Sequence, residues 1–190
     1  GSVAYHMTEA RRIKGALEPG ALERAIQEIV RRHEALRTTF TIVDGGPAQV
    51  IAPSLTMAPR VIDLQALSEN AREIEVQRLA AEEACRPFDL AHGPLLRVNL
   101  VRLGEERHVG LLTMHHIVSD EWSLQILLSE VTTLYAAFCA GRASPLAAPA
   151  RRCSTPLSPC GSWCGPAWGS PCTTPWTASD RSATPCATPA

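Results

Sequence analysis

The chain contains 190 residues, of which 45% are hydrophobic, and its formal net charge is -1. This length and composition suffice for one ordinary domain with a buried core. The near-zero net charge gives no indication that the chain binds nucleic acid or a membrane surface. No secretory signal is recognisable and no apolar run is long enough to span a bilayer, so the sequence predicts a cytoplasmic protein.

The first third of the chain is predicted to form a strand, a helix and a hairpin. Residues 9–15 have the pattern of a short strand, and residues 21–34 carry apolar side chains at helical spacing. Residues 37–43 and 48–51 are predicted to pair as a hairpin across the turn at residues 44–47.

A longer helix is predicted over residues 61–84, where apolar side chains recur among acidic and basic ones. Cys85 follows it and is interpreted as a small buried residue, and Pro87 prevents the helix from continuing. The side chains predicted to lie inside are Leu64, Leu67, Ile74, Leu79 and Ala80.

A second hairpin is predicted after this helix, with strands at residues 93–103 and 107–115. His92 and His108 lie in loop or strand positions without evident partners, and we interpret both as ordinary residues. The second strand ends in two adjacent histidines, which the hairpin delivers to one end of the sheet.

Residues 109–123 are predicted to form a strand, a tight turn and the start of a helix. Ser119 or Asp120 is a natural N-cap for this helix. Rigid neighbours can aim side chains into a cleft at such a corner, where we expect His116 and Asp120 to lie. The apolar residues at helical spacing beyond the turn are Leu124, Leu127, Leu128, Val131, Leu134 and Tyr135.

A histidine at this corner can act as a base, because a neutral imidazole accepts a proton near neutral pH. Asp120 could orient the ring of His116 through Nδ1, or it could pair with an arginine, and spacing alone leaves both open. A buried or capping pair without chemistry is the third possibility. A metal site is disfavoured because His115 and His116, adjacent on a strand, point to opposite faces.

Three sequence motifs occur in order before residue 145. They are RHEALRTTF at residues 32–40, the pair RPFDL and GPLLR at residues 86–90 and 93–97, and HHIVSDEWS at residues 115–123. Together they resemble nonribosomal peptide synthetase condensation domains, whose motifs include RHExLRTxF and HHxxxDG. The resemblance covers about residues 4–145 and concerns only the N-terminal half of that domain.

The resemblance implies an α/β fold, a chloramphenicol-acetyltransferase-like lobe in which helices cover a mixed sheet. In the family, two such lobes form a V with a tunnel between them, and a strand and a helix precede the point at which this chain begins. Residues 1–148 are therefore predicted to be a partial condensation domain, the N-terminal lobe, truncated at its start.

The tail at residues 149–190 is rich in Pro, Ser, Thr and Cys and lacks helical or strand periodicity. Its cysteines match no zinc-binding spacing and, as an odd set, no disulfide framework. A shifted reading frame can encode a sequence that resembles the family's VQYADYAVWQ segment, so a frame slip in the gene is one explanation. We predict a disordered or frame-shifted tail, and the nucleotide sequence across its codons tests the frame slip.

The resemblance also implies a reaction, formation of an amide bond between a carrier-bound acyl or peptidyl thioester and a carrier-bound aminoacyl acceptor. His116 would position or deprotonate the acceptor amine, with His115 and Asp120 as further catalytic residues. The residues expected to support the site are Arg32, Arg37, Trp122 and Ser123.

An ion pair between Asp120 and either Arg32 or Arg37 is expected from the family to fix the corner. The alternative is that both are solvated arginines at a helix end. Glu121 departs from the motif, which has glycine at this position, and it adds a charge beside the site. The remaining motif residues resemble those of peptide-bond-forming subtypes.

The implied partners are carrier protein domains, an adjoining adenylation domain and the C-terminal lobe. The phosphopantetheine arms of the carrier domains hold the substrates. Neither nucleic acid nor a membrane is expected as a partner. The domain itself is expected to bind no metal or cofactor.

Two alternatives stay open: a noncatalytic remnant or interaction module of the same fold, and a stand-alone acyltransferase that uses coenzyme A. The isolated chain is expected to be inactive and marginally stable, because the face that meets the second lobe is exposed.

Overall fold

The structure is a computed structural model that describes residues 5–147. Its strands are β1 (His6–Lys14), β2 (Thr38–Val43), β3 (Gly46–Ile51), β4 (Arg60–Asp63), β5 (Leu96–Gly104) and β6 (Arg107–His115). Its helices are α1 (Pro19–Arg32), α2 (Glu69–Cys85) and α3 (Glu121–Cys139), with a short 3-10 helix at Glu34–Arg37. No helix in this part of the chain is long and apolar enough to cross a membrane. The predictions for residues 149–190 lie outside the described residues.

Four strands form one mixed sheet in the order β1-β6-β5-β4. β6 is antiparallel to β1 and β5, whereas β4 is parallel to β5. β2 and β3 pair as a separate antiparallel hairpin, close to the predicted one. In this register His6 lies opposite His115, at the end of the sheet where β6 finishes. The mixed sheet covered by helices confirms the predicted fold class.

Helices cover both faces of this sheet. α1 and α3 pack on one face, where the buried side chains of β5 and β6 include Leu96 and Met114. α2 packs on the other face, against Val101 and Leu111. Alternate residues of a strand reach opposite faces, so β5 and β6 need apolar residues at nearly every position. This requirement explains why the hairpin was predictable from its apolar runs.

The region at residues 61–84 differs from the predicted single helix. It contains the end of β4, a turn and then α2, which begins at Glu69. The Asp63 carboxylate accepts a hydrogen bond from the Gln65 N–H at 2.9 Å and thereby stabilises the turn. β4 pairs with β5, a partner distant in sequence that local periodicity cannot reveal. The helical prediction is therefore wrong for residues 61–68.

The buried face of α2 also differs from the prediction. Ile74 is 70% exposed, whereas Val76 and Glu83 are buried. Leu67, in the turn before α2, is exposed as well. Cys85 is exposed rather than buried. The face of α2 that is covered follows from how the helix meets the sheet, and its mixed pattern of charged and apolar residues does not specify that face. The predicted core positions that do pack there are Leu64, Leu79 and Ala80.

The two histidines interpreted as ordinary differ in their surroundings. His92 has a partner, since its Nδ1 lies 2.8 Å from Asp89 Oδ2 in an exposed loop. His108 is buried in β6, and its Nδ1 has no hydrogen-bond partner. The expectation of a histidine without a partner is therefore wrong for His92.

Candidate active site

The turn between β6 and α3 forms the corner predicted from the sequence. β6 ends at His115, whose carbonyl accepts a hydrogen bond from the Val118 N–H at 3.0 Å. Asp120 is the N-cap of α3: its Oδ1 accepts from the Ser123 N–H at 2.7 Å and from the Ser123 hydroxyl at 2.6 Å. Both hydrogen bonds lower the pKa of Asp120, and the bond from the Ser123 hydroxyl has the larger effect. Asp120 therefore stabilises the corner as an ionised cap.

Asp120→Ala is expected to lower the free energy of unfolding by about 0.5–2 kcal/mol, because the first turn of α3 loses its cap. Urea unfolding of the full chain at neutral pH measures this change. Glu121→Gln is the matched control, since Glu121 is an exposed acid in the same turn but is not the N-cap. Equal stability of the two variants would contradict the capping role of Asp120.

The ring of His116 is oriented by the backbone of its own turn. Its Nδ1 lies 2.8 Å from the carbonyl oxygen of Ser119. Because a carbonyl oxygen only accepts hydrogen bonds, Nδ1 carries the proton in this contact. The neutral ring then has its free lone pair on Nε2, which none of the described residues engages in a hydrogen bond. Ser119, and not Asp120, therefore sets the orientation of His116.

His115 lies beside His116 in a more enclosed environment. Its ring is half-buried among the rings of Tyr5, His6 and Phe88, with centroid separations of 6.1, 6.0 and 6.0 Å, respectively. Burial, and to a smaller extent the neighbouring His6 and His116, lowers the pKa of His115. His115 is therefore neutral at neutral pH.

An open cleft of about 560 Å³ lies at this end of the sheet, within the size range of ligand pockets. Both His115 and His116 line it. The expectation that they are adjacent residues of one strand is wrong, because β6 ends at His115 and His116 already belongs to the turn. Tyr5 and His6 were missed because only the register of β1 against β6 brings them here. The other lining residues, all within the quoted motifs, are Phe88, Leu90 and Ile117.

Phe88 is held in the cleft wall by Arg97. The Arg97 guanidinium lies 3.8 Å from the ring centroid of Phe88 and donates to Glu83 Oε2 at 2.7 Å. It also donates to the carbonyl oxygens of Glu83, Arg86 and Pro87 at 3.0, 2.7 and 3.4 Å, respectively. One arginine therefore fixes the segment that leaves α2 and presents Phe88. The sequence motifs contain Phe88 and Arg97 but not Glu83, and nothing in their spacing indicates that these residues touch.

Arg32 lies away from Asp120. Its Nη1 donates to the carbonyl oxygen of Ala147 at 2.6 Å, and its Nη2 lies 3.9 Å from Glu130 Oε1. The adjacent His33 places Nε2 2.6 Å from the other oxygen of Glu130. This part of the motif therefore ties the end of α1 to the middle of α3 and to the segment after it.

Arg37 also lies away from Asp120. Its Nη1 donates to the carbonyl oxygen of Ala52, and its Nη2 lies 3.3 Å from Glu34. The predicted ion pair of Asp120 with Arg32 or Arg37 is therefore wrong for the described residues, because each guanidinium binds other acceptors. Neither arginine is simply solvated either, so the alternative of two free arginines is also wrong.

Trp122 and Glu121 occupy exposed positions in the first turn of α3. Trp122 is 73% exposed, and its support of the site stays a prediction. Glu121 accepts a 3.4 Å hydrogen bond from Gln125 and, as an acid at a helix N-terminus, interacts favourably with the helix dipole.

The chain is expected to lose stability as the pH falls below about 6.5, toward the range in which most carboxylates titrate. Burial lowers the pKa of His108 as it lowers that of His115. A histidine with a depressed folded pKa binds fewer protons in the folded than in the unfolded state. Its contribution to the free energy of unfolding is therefore complete above the pKa that the histidine has in the unfolded chain. This contribution is lost as the pH falls through the pKa that the histidine has in the folded chain.

Urea unfolding of the full chain at pH values above and below about 6.5 measures the loss of stability. His108→Gln is expected to reduce the loss, whereas the control His92→Gln, at an exposed position, is expected to leave it unchanged. An equal loss of stability in His108→Gln and in the unsubstituted chain would contradict the direction of the His108 shift.

Residues 1–150 match the condensation domain family, so the chain belongs to that family, whose function is peptide-bond formation. It is 48% identical over 148 residues to chondramide synthase of Chondromyces crocatus and 47% identical over 146 residues to a linear gramicidin synthase of Brevibacillus parabrevis. These matches cover 78% and 77% of this chain but only 4% and 2% of the relatives. The chain thus spans a small fraction of the length of these relatives.

Solved structures show the same fold. The X-domain in its complex with OxyB from teicoplanin biosynthesis has a TM-score of 0.67 and 32% sequence identity, covering 76% of this chain and 30% of that chain. SgcC5 from Streptomyces globisporus has a TM-score of 0.66 and 30% identity, covering 76% of this chain and 32% of that chain. In both cases the chain corresponds to about a third of a larger protein.

Proposed function

We propose that this chain contributes the catalytic histidine of an enzyme that forms an amide bond between a thioester and an amine. The observation that carries the proposal is the hydrogen bond from His116 Nδ1–H to the Ser119 carbonyl, which leaves Nε2 as a proton acceptor beside an open cleft. An amine attacks only in its unprotonated form, so a neutral base next to it is the group that this reaction needs.

In this proposal the acceptor α-amine lies within hydrogen-bond reach of His116 Nε2 and attacks the thioester carbonyl carbon. The carbon–nitrogen bond forms and the amine proton moves to Nε2. The tetrahedral intermediate then expels the thiolate, which takes that proton from the imidazolium. The Ser119 carbonyl keeps the ring in position and stabilises the imidazolium through Nδ1–H.

The substrates in this proposal are thioesters held on the phosphopantetheine arms of carrier protein domains, with an adjoining adenylation domain as a further partner. Tethering both substrates supplies much of the rate by proximity. A C-terminal lobe completes the site, and the domain itself is proposed to need neither a metal nor a bound cofactor. The partial condensation domain at residues 1–148 and the cytoplasmic location stay predictions.

An interaction module of the same fold is the second candidate function. The similarity to the X-domain in its complex with OxyB favours this candidate, because that domain is seen bound to another protein. The two candidates differ in whether the His116 imidazole reaches a reacting substrate, so they make opposite predictions for an activity assay.

The decisive experiment is a reconstituted assay that combines the full chain, the C-terminal lobe of a condensation domain, an acyl-loaded carrier and an aminoacyl-loaded carrier. Mass spectrometry of the acceptor carrier detects the amide. We expect product only when both lobes and both loaded carriers are present. Product from an acyl coenzyme A donor in place of the loaded carrier would favour the stand-alone acyltransferase. Absence of any product would contradict the catalytic proposal and favour the interaction module.

A further inference from the structure

The two adjacent histidines carry their protons on different ring nitrogens. His115 Nδ1 accepts a hydrogen bond from the Ile117 N–H at 3.1 Å. Because a backbone N–H only donates, Nδ1 is unprotonated and the neutral His115 ring carries its proton on Nε2. His116 has the opposite arrangement, with Nδ1–H directed at the Ser119 carbonyl. One turn of backbone therefore fixes both tautomers.

His6, the third histidine of the cleft, shares the arrangement of His116. Its Nδ1 lies 2.8 Å from the carbonyl oxygen of Ala84, so the proton is on Nδ1 and Nε2 is an acceptor. Among the histidines that the structure places in the cleft, His115 is thus the one that presents an N–H through Nε2.

The Nε2–H of His115 is available to a ligand. None of the residues 5–147 forms a hydrogen bond with it, and it is not among the buried unpaired polar atoms of that part of the chain. The ring lines the cleft together with His116. The rings of Tyr5, His6 and Phe88 surround it and limit its movement. The His115 N–H is a fixed hydrogen-bond donor and His116 Nε2 is a fixed acceptor beside it. Together they can contact both reactants, the thioester and the amine.

We propose that His115 donates its Nε2–H to the thioester carbonyl oxygen and to the oxyanion that forms there. This inference rests on the proposed function. As the amine nitrogen bonds to the carbonyl carbon, the carbon–oxygen π electrons move to oxygen, and the resulting negative charge lies against the N–H of His115. When the thiolate leaves, those electrons re-form the carbonyl. His115 keeps its proton throughout, and only His116 gives and takes one.

A neutral imidazole suits this role. It donates without releasing its proton to the intermediate, and its donor is already positioned before charge develops. Conversion of His115 to the imidazolium would break the Ile117 N–H contact, because Nδ1 would then also carry a proton. The backbone therefore favours the form of the ring that the proposal needs.

Two-bond proton–nitrogen correlation spectra of the labelled full chain at neutral pH test the tautomers without any turnover. We expect His115 to show protonation at Nε2, and His116 and His6 at Nδ1. A His115 signal with the proton on Nδ1 would overturn the inference, and it would do so even if the chain catalyses condensation.

The reconstituted assay tests the catalytic role with His115→Phe and His115→Gln. Phenylalanine keeps a planar ring but lacks the donor, and we expect it to lower kcat about 10²–10³-fold with little change in KM. Glutamine keeps an N–H₂ donor and is expected to recover a large part of that loss. His92→Phe, at an exposed position outside the cleft, is the matched control and is expected to keep the wild-type rate.

Outcomes of these assays separate the two proposals. A folded His115→Phe variant with wild-type kcat, or equal losses in the phenylalanine and glutamine variants, would overturn the donor role while leaving condensation itself intact. Near-UV circular dichroism establishes that each variant is folded. A wild-type assay without amide product contradicts the proposed function, and the role of His115 falls with it.

Discussion

His116→Ala is expected to lower the rate of amide formation in the reconstituted assay by about 10²–10⁴-fold, the range typical of a lost general base. The ring is fixed by the Ser119 carbonyl and presents Nε2 to the cleft, so alanine removes the proton acceptor and leaves the corner in place. The measurement is kcat at saturating carrier-bound substrates, with the free energy of unfolding determined in parallel.

His92→Ala is the control for loss of a histidine, since His92 is exposed and pairs with Asp89 outside the cleft. We expect this variant to retain the wild-type rate. A His116→Ala variant with normal stability and an unchanged kcat would show that His116 is not the base, and the proximity of the tethered substrates would then promote the reaction without a general base.

Arg97→Met is expected to destabilise the chain by up to about 3–5 kcal/mol, because the buried Glu83 carboxylate loses its closest cation. The exposed Arg86, whose Nη1 lies 3.6 Å from Glu83 Oε1, then remains as its partner. The side chains of Arg97 and Glu83 are only 14% and 9% exposed. Burial lowers the pKa of Arg97, which reflects the cost of removing its charge from water, and the hydrogen bonds to Glu83 offset that cost. Urea unfolding of the full chain measures the change.

Two further variants test whether burial of the charge causes the loss of stability. The double variant Arg97→Met with Glu83→Leu is expected to be more stable than Arg97→Met alone, because it removes the buried carboxylate that has lost its closest cation. Arg78→Met is the matched surface control, since Arg78 pairs with Glu75 at the same 2.7 Å distance but is exposed to solvent. Equal destabilisation by Arg97→Met and Arg78→Met would contradict the importance of burial.

The loss of Arg97 is also expected to affect the cleft. Phe88 lies over the guanidinium and meets His6 and His115 edge-on, with centroid distances of 5.1 and 6.0 Å. Releasing this segment therefore loosens one wall of the site, and a reduced kcat should accompany the reduced stability. Arg97 acts here as a positioning residue, since it holds Phe88 and contacts no reacting group.

The corner that holds His116 could be predicted because its signals are local. An apolar run that ends in a turn, followed by a capping aspartate and apolar residues at helical spacing, specifies a strand, a turn and a helix within about twenty residues. The structure places Asp120 at the N-cap and His116 in the turn, as this pattern predicts. The identity of the hydrogen-bond partner of His116 could not be predicted, because it depends on how the turn closes.

The partners of the other site residues are set by long-range contacts. The pairing of β4 with β5, the position of His6 opposite His115 and the ion pair of Arg97 with Glu83 each join segments distant in sequence. These segments meet only when the sheet and α2 assemble. The family resemblance suggested Asp120 as a partner for the arginines of the first motif, yet several acceptors compete for each guanidinium and packing chooses among them.

The sequence by itself therefore determined the family, the hairpin formed by β5 and β6, the capped helix α3 and the position of His116, because short-range hydrogen bonding and periodic apolar burial act between near neighbours. The closure of one turn in the folded chain decided which ring nitrogens of His115 and His116 carry protons. Only the tertiary structure decided the tautomer of His6 and which residues enclose the cleft. Those properties depend on the register of β1 against β6 and on the backbone carbonyl or amide that each imidazole meets.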